Sequence, residues 1–414
     1  MTAQTDRDRK VVFLSPACVL DTRSGAAASM RTVLKWLADS GWQSYSLGAT
    51  IFDGRYEYPT GQVIGPEATN PAHKGKWLEL DRDGVKHLLF NTQSTQGRHL
   101  TRDEAQRVVA GTEERLARIK PDVILGYGQD SVSQTLWKRA RRHTKALIFY
   151  LANANYSDSA LFSEFDKVLC PSAYLAQSYS ETLGITADVF PTPVDDRMYS
   201  PPEDVMPVAH SAARRDGFIT FVNPVPEKGA TLVFQLIKLA AQERPDLTFL
   251  VLEGRLSGQW WRDAGADIAD MPNVWWLGNQ QDMRPVYRRT SILLFPSFWP
   301  EATGRGIKEA QLGGIPVLAT NRGGIPEQLN GGGFLFEVPD GCMETYTKIP
   351  PREAVRPWLD TLCRLMDDED AYREASQRAL RAAEPFRPET RKREIVAFFD
   401  QIVSDHESRK ARRP

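Results

Sequence analysis

Residues 291–329 read SILLFPSFWPEATGRGIKEAQLGGIPVLATNRGGIPEQL. SILLFP is a short apolar run that predicts a buried strand ending at Pro296. A loop with Glu301 and three small residues follows, and a helix is expected to begin near Gly304–Gly306. PVLAT predicts the next strand. In open parallel sheets, ligands bind beyond the carboxyl ends of strands, where loops turn into helices. Glycines at such a turn let backbone N–H groups approach an anion without a Cβ in the way, and a helix start favours negative charge. Arg305 lies between Gly304 and Gly306: either it adds a fork of donors to a bound anion, or it faces solvent while the backbone binds. Glu301 and Glu309 stand eight positions apart, one before the helix and one in its early turns, so both can reach one extended ligand.

Outward from this segment, the same alternation of strand and helix recurs. FITFVN at 218–223, LTFLVLE at 247–253 and NVWWLG at 273–278 predict strands. Lys228 is expected to open a helix whose Val233, Leu236, Ile237 and Ala240 share one face. Towards the N-terminus, VVFLSP, PDVILGY, ALIFYLA and KVLCPS predict strands, and Met30, Val33, Leu34 and Leu37 fall at helical spacing before Gly41. Such alternation implies parallel sheets with helices on both faces. Residues 50–101 break the pattern, and WLELDRDGVKHLLF reads as a hairpin turning at Asp83-Gly84. The Pro- and charge-rich stretch PTPVDDRMYSPPEDVMPVAHSAARRDG contains the expected linker. The architecture that follows is α/β: two doubly wound, Rossmann-like domains facing across a cleft. Their expected bounds are 1–197 and 217–385, with a linker over 198–216 and a C-terminal helix and basic tail over 386–414.

The 414 residues carry 52 Lys+Arg against 53 Asp+Glu, for a net charge of −1, with 41% hydrophobic residues. This balance argues against whole-protein attraction to nucleic acid. The tail SRKARRP reads as a solvated end. Cys18, Cys170, Cys342 and Cys363 form no CxxC pair, so neither a disulfide framework nor a zinc site is expected. No apolar run approaches a membrane span and no signal peptide is evident, so a cytoplasmic location is expected, with peripheral membrane contact left open. The histidines form no HxH or HExxH pattern, and no DxD-like pair sits in a convincing loop. No metal or cofactor is expected.

The quoted residues resemble the GT-B retaining glycosyltransferases of family 4, the glycosyl transferases group 1. The marks are Glu301, seven intervening residues and Glu309, followed by GGIPVLAT and GGIPE. VPEKG at 225–229 is similar to the segment carrying the family's donor-phosphate lysine, which falls on Lys228. SPACVLDTRSGAAASMRTVLKWLADSG is similar to the family's first strand, glycine loop and helix, with the phosphate-facing glycine at Gly25. FDKVLCPSAYLAQSY and PTPVD resemble the last strands of the first domain and the entry to the hinge. The likeness is strong over 220–335 and loose over 45–110, where such enzymes recognise their acceptors.

The resemblance implies a nucleotide sugar as donor substrate and an acceptor hydroxyl that is a small molecule, a lipid-linked saccharide or a protein. It gives Glu309 the ribose hydroxyls and Glu301 the transferred sugar. It gives Lys228 and the backbone around Gly304–Ile307 the diphosphate, with no divalent metal. Two departures stand out. Asn223 occupies the place of the family's usual arginine, and Asn153 and Asn155 in YLANANYSD stand where many members have a histidine near the sugar. Glu327 in GGIPEQL reads better as a helix-start residue than as a ligand group. The competing readings are a relative that uses phosphate or water as acceptor, and a non-catalytic sugar or nucleotide binder.

Overall fold

The computed structural model describes residues 9–54, 57–204, 217–254, 256–263 and 267–411. The expected linker's residues 205–216 and the last three residues of the basic tail lie outside these. The chain divides into two compact units. The first spans Met1–Pro171, Ala176–Pro193 and Glu389–Pro414; the second spans Ser172–Leu175 and Val194–Pro388.

In the first unit the strands are β1 (Lys10–Leu14), β2 (Gln43–Ala49), β3 (Trp77–Arg82), β4 (Val85–Phe90), β5 (Val123–Gly126), β6 (Ala146–Tyr150), β7 (Lys167–Cys170) and β8 (Asp188–Val189). They lie in the order β3-β4-β2-β1-β5-β6-β7-β8. All neighbours are parallel except β3 and β4. That pair is the expected hairpin: Asp83 (φ 50°) and Gly84 (φ 72°) both take left-handed backbone, the form a two-residue turn needs to match strand twist. The hairpin is not a detachable loop, because β4 pairs with β2 from Val85 to Phe90 and extends the sheet.

Val11, Phe13, Val123, Leu125, Ile148 and Tyr150 share one face of this sheet with Met30, Val33, Leu34 and Leu37 of the Gly25–Ala38 helix. The Pro388–Ala411 helix joins the same core through Ile395, Phe399, Ile402 and Val403. Trp137 of the Ser131–Ala140 helix meets Phe149 edge-on at 6.3 Å on the other face. A separate helix and tail over 386–414 is expected from sequence; instead, the helix from Glu389 onwards belongs to the first unit and packs into its core. All four cysteines are free thiols.

The second unit's strands are β9 (Phe218–Val222), β10 (Phe249–Leu252), β11 (Val274–Leu277), β12 (Thr290–Phe295), β13 (Val317–Thr320) and β14 (Phe334–Phe336). Their order is β11-β10-β9-β12-β13-β14, all parallel. Side chains alternate between two cores. Ile219, Phe221, Phe249, Val251, Ile292 and Leu294 pack with the Ala230–Glu243 and Arg352–Asp367 helices. Leu250, Leu252, Leu293, Val317 and Ala319 pack with Ile307 and Ala310 of the Arg305–Leu312 helix. This is the doubly wound arrangement that alternating periods predict, and it sets a switch point between β9 and β12. Among the described residues, no helix is long and apolar enough to cross a membrane.

Candidate active site

β9 and β12 lie side by side, so the loops leaving their carboxyl ends meet. After β9, Asn223 takes left-handed backbone (φ 62°) and its N–H donates to Leu252 O at 2.9 Å. An asparagine tolerates this conformation better than other non-glycine residues. The chain then makes a 3-10 turn over Pro226–Lys228, and Gly229 leads into the helix at Ala230. Lys228 therefore stands in the turn before the helix rather than opening it. Gly229 has φ 79°, and a Cβ there would lie 1.9 Å from Pro296 O. Only glycine lets the two loops come this close.

The β12 loop is fastened on both sides. Phe298 and Trp299 N–H groups donate to Glu227 O at 3.0 Å each, joining it to the Lys228 turn. On the β13 side, Gly324 N–H donates to Glu301 O at 2.7 Å and Thr320 Oγ1 donates to Ser297 O at 2.6 Å. Within this frame Ser297 Oγ donates to Glu301 Oε1 at 2.8 Å, and Lys228 Nζ is ion-paired with the same oxygen. The Lys228 side chain keeps 27% exposure and that of Glu301 11%, so the cation is the more accessible member.

Gly304 (φ 65°) turns the loop into the Arg305–Leu312 helix. Ile307 N–H donates to Gly304 O at 2.9 Å, so one of the expected anion-facing amides is engaged in the first turn. Gly306 sits against Phe295, where a Cβ would be at ordinary contact, 3.5 Å. Glu309, 4% exposed, points into the fold: Tyr287 Oη donates to its Oε2 at 2.8 Å, and Arg305 Nε lies 2.9 Å from Oε1. That ion pair is out of line for a hydrogen bond, so Oε1 is a buried acceptor with no hydrogen-bond partner among the described residues. Burial pushes the Glu309 carboxyl above its ordinary range, against Arg305 and the Tyr287 hydrogen bond, which lower it. Arg305, read as facing an anion or solvent, turns its guanidinium to its own helix's carboxylate.

Asn223, Lys228, Glu301, Gly304, Arg305, Gly306, Ile307 and Glu309 thus all lie in the second unit, on loops and a helix that follow two adjacent strands. Gly25, Asn153 and Asn155 lie in the first unit. Gly25 begins its helix behind the Ser24 cap, with no positive φ, and a Cβ there would meet nothing within 4 Å. Among the described residues, no packing contact demands glycine at that position. Asn153 Oδ1 accepts from Asn155 N–H at 3.0 Å, and its carbonyl accepts from Tyr179 Oη at 2.9 Å, so this loop is shaped by its own polar groups. Glu327 accepts from the Ala173 and Tyr174 N–H groups at 3.0 Å each, a capping role. Among the described residues no cluster of three or more His, Cys, Asp or Glu side chains is set to hold a metal ion.

Two members of the constellation escaped sequence reasoning. Ser297 sits in the quoted FPSFWPE run four residues before Glu301, but a serine after a strand carries no signal of its own. Tyr287 lies 22 positions from Glu309, and only the fold joins them.

Residues 217–368 match the family model for glycosyl transferases group 1. Comparison with curated proteins finds no match. Among solved structures, a glycosyltransferase from Rickettsia africae aligns at 17% identity and TM-score 0.67, covering 96% of this chain and 99% of that one. Sucrose-phosphate synthase from Thermosynechococcus elongatus aligns at 14% identity and TM-score 0.69, covering 96% and 100%. Anabaena HepE, solved with UDP and glucose, aligns at 16% identity and TM-score 0.63, covering 95% and 100%. The group 1 match lies on the unit that holds Lys228, Glu301 and Glu309, and the GT-B fold of these glycosyltransferases is shared along nearly the whole length of the chain.

Proposed function

We propose that this glycosyltransferase moves a sugar from a nucleotide sugar to an acceptor hydroxyl with retention of configuration, and that it needs no metal. The observation that carries the reading is the Ser297–Glu301–Lys228 cluster on the loops of β9 and β12, with Glu309 one helix turn beyond. Glu309 takes the ribose hydroxyls, Lys228 and the Gly304–Ile307 backbone take the diphosphate, and Glu301 takes hydroxyls of the transferred sugar. HepE's complexes with UDP and with UDP-glucose favour a uridine nucleotide. The resemblance assigns acceptor recognition to the first unit, with Gly25 facing phosphate and Asn153 and Asn155 on the sugar side.

The chemistry follows from charge. As the sugar C1–O bond breaks, the diphosphate gains negative charge, and Lys228 with preorganised N–H dipoles stabilises that charge more than the ground state. The acceptor oxygen bonds to C1 on the face the diphosphate leaves, and its proton passes to the departing phosphate oxygen. No side-chain nucleophile is required. Asn223, lacking the charge of the family's usual arginine, leaves Lys228 as the principal side-chain cation.

Incubation with UDP-, ADP- and GDP-sugars, with and without candidate acceptors, tests this reading. Nucleotide diphosphate release that persists in EDTA, and a product with the donor's anomeric configuration, are expected. Tight binding with no release across the panel would contradict it, and an inverted product would refute retention. Gly25→Ala provides a second check. Because a Cβ there meets nothing within 4 Å among the described residues, folding stability is expected to stay within about 0.5 kcal/mol. Turnover is expected to fall about 10²-fold if phosphate approaches this backbone. Wild-type turnover in the folded variant would remove Gly25 from the site.

A further inference from the structure

We propose that Tyr287 is the positioning residue of the donor site, fixing the Glu309 carboxylate in the orientation that receives the nucleotide's ribose; this rests on the role assigned to Glu309 above. Tyr287 closes the short Arg284–Tyr287 helix and is 1% exposed, within the core that also holds Leu293 and Ile307. Its hydroxyl gives the hydrogen bond to Glu309 Oε2. The terminal torsion of a glutamate is broad, so an unheld carboxylate samples many orientations. The phenol pins one oxygen, leaving Oε1 and the second lone pair of Oε2 as acceptor capacity for a diol. Oε1 keeps its ion pair with Arg305 but accepts no hydrogen bond among the described residues, and a ribose hydroxyl supplies one. The tyrosine that holds the carboxylate thereby also tunes its affinity for hydroxyl donors.

The surrounding charges are few. Arg305 faces Glu309 from its own helix, and Tyr287 faces it from the preceding one. Lys308 turns away, towards Gln311 Oε1 at 3.3 Å and the Phe386 ring at 4.0 Å, and Glu327 is held by Ala173 and Tyr174. Burial and the adjacent carboxylate hold the Tyr287 phenol well above its ordinary range, so it remains a donor at working pH. Glu309's own range is raised, so its acceptor form is complete above that range and is lost as pH falls through it. Removing the Tyr287 hydroxyl takes away one influence that lowers it, and the acid limb of donor binding must move to higher pH.

The test is Tyr287→Phe in the full-length protein, with binding of UDP, or of ADP or GDP where one of these binds better, followed from pH 5 to 9. We expect affinity to fall about tenfold at neutral pH, with the acid limb shifted upward. The donor KM should rise with kcat at saturating donor nearly unchanged, the signature of lost binding rather than lost chemistry. In a Glu309→Gln background the same change should add almost nothing. A lowered Tm with an unmoved limb and unchanged affinity would make Tyr287 merely structural and overturn the proposal. If Glu309→Gln itself binds the nucleotide like the wild type, the role of Glu309 falls with it. If only Tyr287→Phe is silent, the positioning role alone falls. Site-specific 3-fluorotyrosine at 287, a stronger donor that keeps the ring, covers a Phe variant that does not fold. It should move the limb to lower pH, and no movement would overturn the proposal.

Discussion

Lys228→Ala is expected to lower turnover about 10²- to 10³-fold while weakening donor affinity less than about tenfold. The asymmetry arises because the ammonium is already paired with Glu301 before donor arrives. Exchanging that partner for a ground-state diphosphate gains little. As the glycosidic bond breaks the diphosphate becomes more anionic, and the exchange then favours the transition state. Steady-state kinetics and calorimetry on the same folded variant provide the check. Equal losses in binding and turnover would make Lys228 an anchor rather than a catalytic group. The variant also frees Glu301 from its cation, leaving Ser297 Oγ as its hydrogen-bond donor. Lys228→Arg separates the two effects, since it keeps the charge while changing the reach and geometry of the donors.

Glu309→Ala is expected to weaken nucleotide-sugar binding about 10- to 100-fold, the scale of one or two lost charge-assisted hydrogen bonds. It also strips Tyr287 Oη of its acceptor and Arg305 of its partner, both against a buried helix. A lower Tm, by an amount corresponding to about 1–3 kcal/mol, should accompany the loss of affinity. Calorimetry showing unchanged affinity in a folded variant would remove Glu309 from the site. The same ion pair explains why Arg305 is a poor candidate for an independent phosphate ligand. Turning it outward would leave a raised, buried carboxylate without its nearest cation.

The parts of the fold legible in sequence were those with a strong local signal. The Asp83-Gly84 hairpin was legible because two consecutive residues suited to left-handed backbone separate two apolar runs. The 291–329 segment was legible because an apolar strand, a glycine loop and an amphipathic helix follow one another within 22 residues of Ser291. β2, reading QSYSLGA, carries no such local signal. It runs between β1 and β4 with Ser44 and Ser46 buried, and Ser46 Oγ makes a 2.8 Å hydrogen bond with His87 Nδ1. A buried strand that carries serines at two of its buried positions has no hydrophobic pattern to detect. Gly48 adds to this, since a Cβ there would lie 2.4 Å from Ser15 O.

The candidate site divides along the same line. Glu301 and Glu309 are candidates in the sequence through their spacing and the family-like segments around them, and Lys228 through a short motif. Their supports, Ser297 and Tyr287, act through tertiary proximity, which no periodicity encodes. The Pro388–Ala411 helix is a further case. Its apolar residues predict a helix, but only long-range packing of Phe399 against Trp42, at 6.0 Å, assigns it to the first unit.

In the proposed function, the second unit holds the nucleotide through Glu309, Lys228 and the Gly304–Ile307 turn. A crystal structure of the full-length protein with UDP tests it most directly. Expected are ribose hydroxyls within hydrogen-bond distance of Glu309, the diphosphate at the start of the Arg305–Leu312 helix, and Lys228 Nζ moved from Glu301 to a phosphate oxygen. UDP bound with no contact to Glu309 or Lys228, the two still in their present pairings, would contradict it.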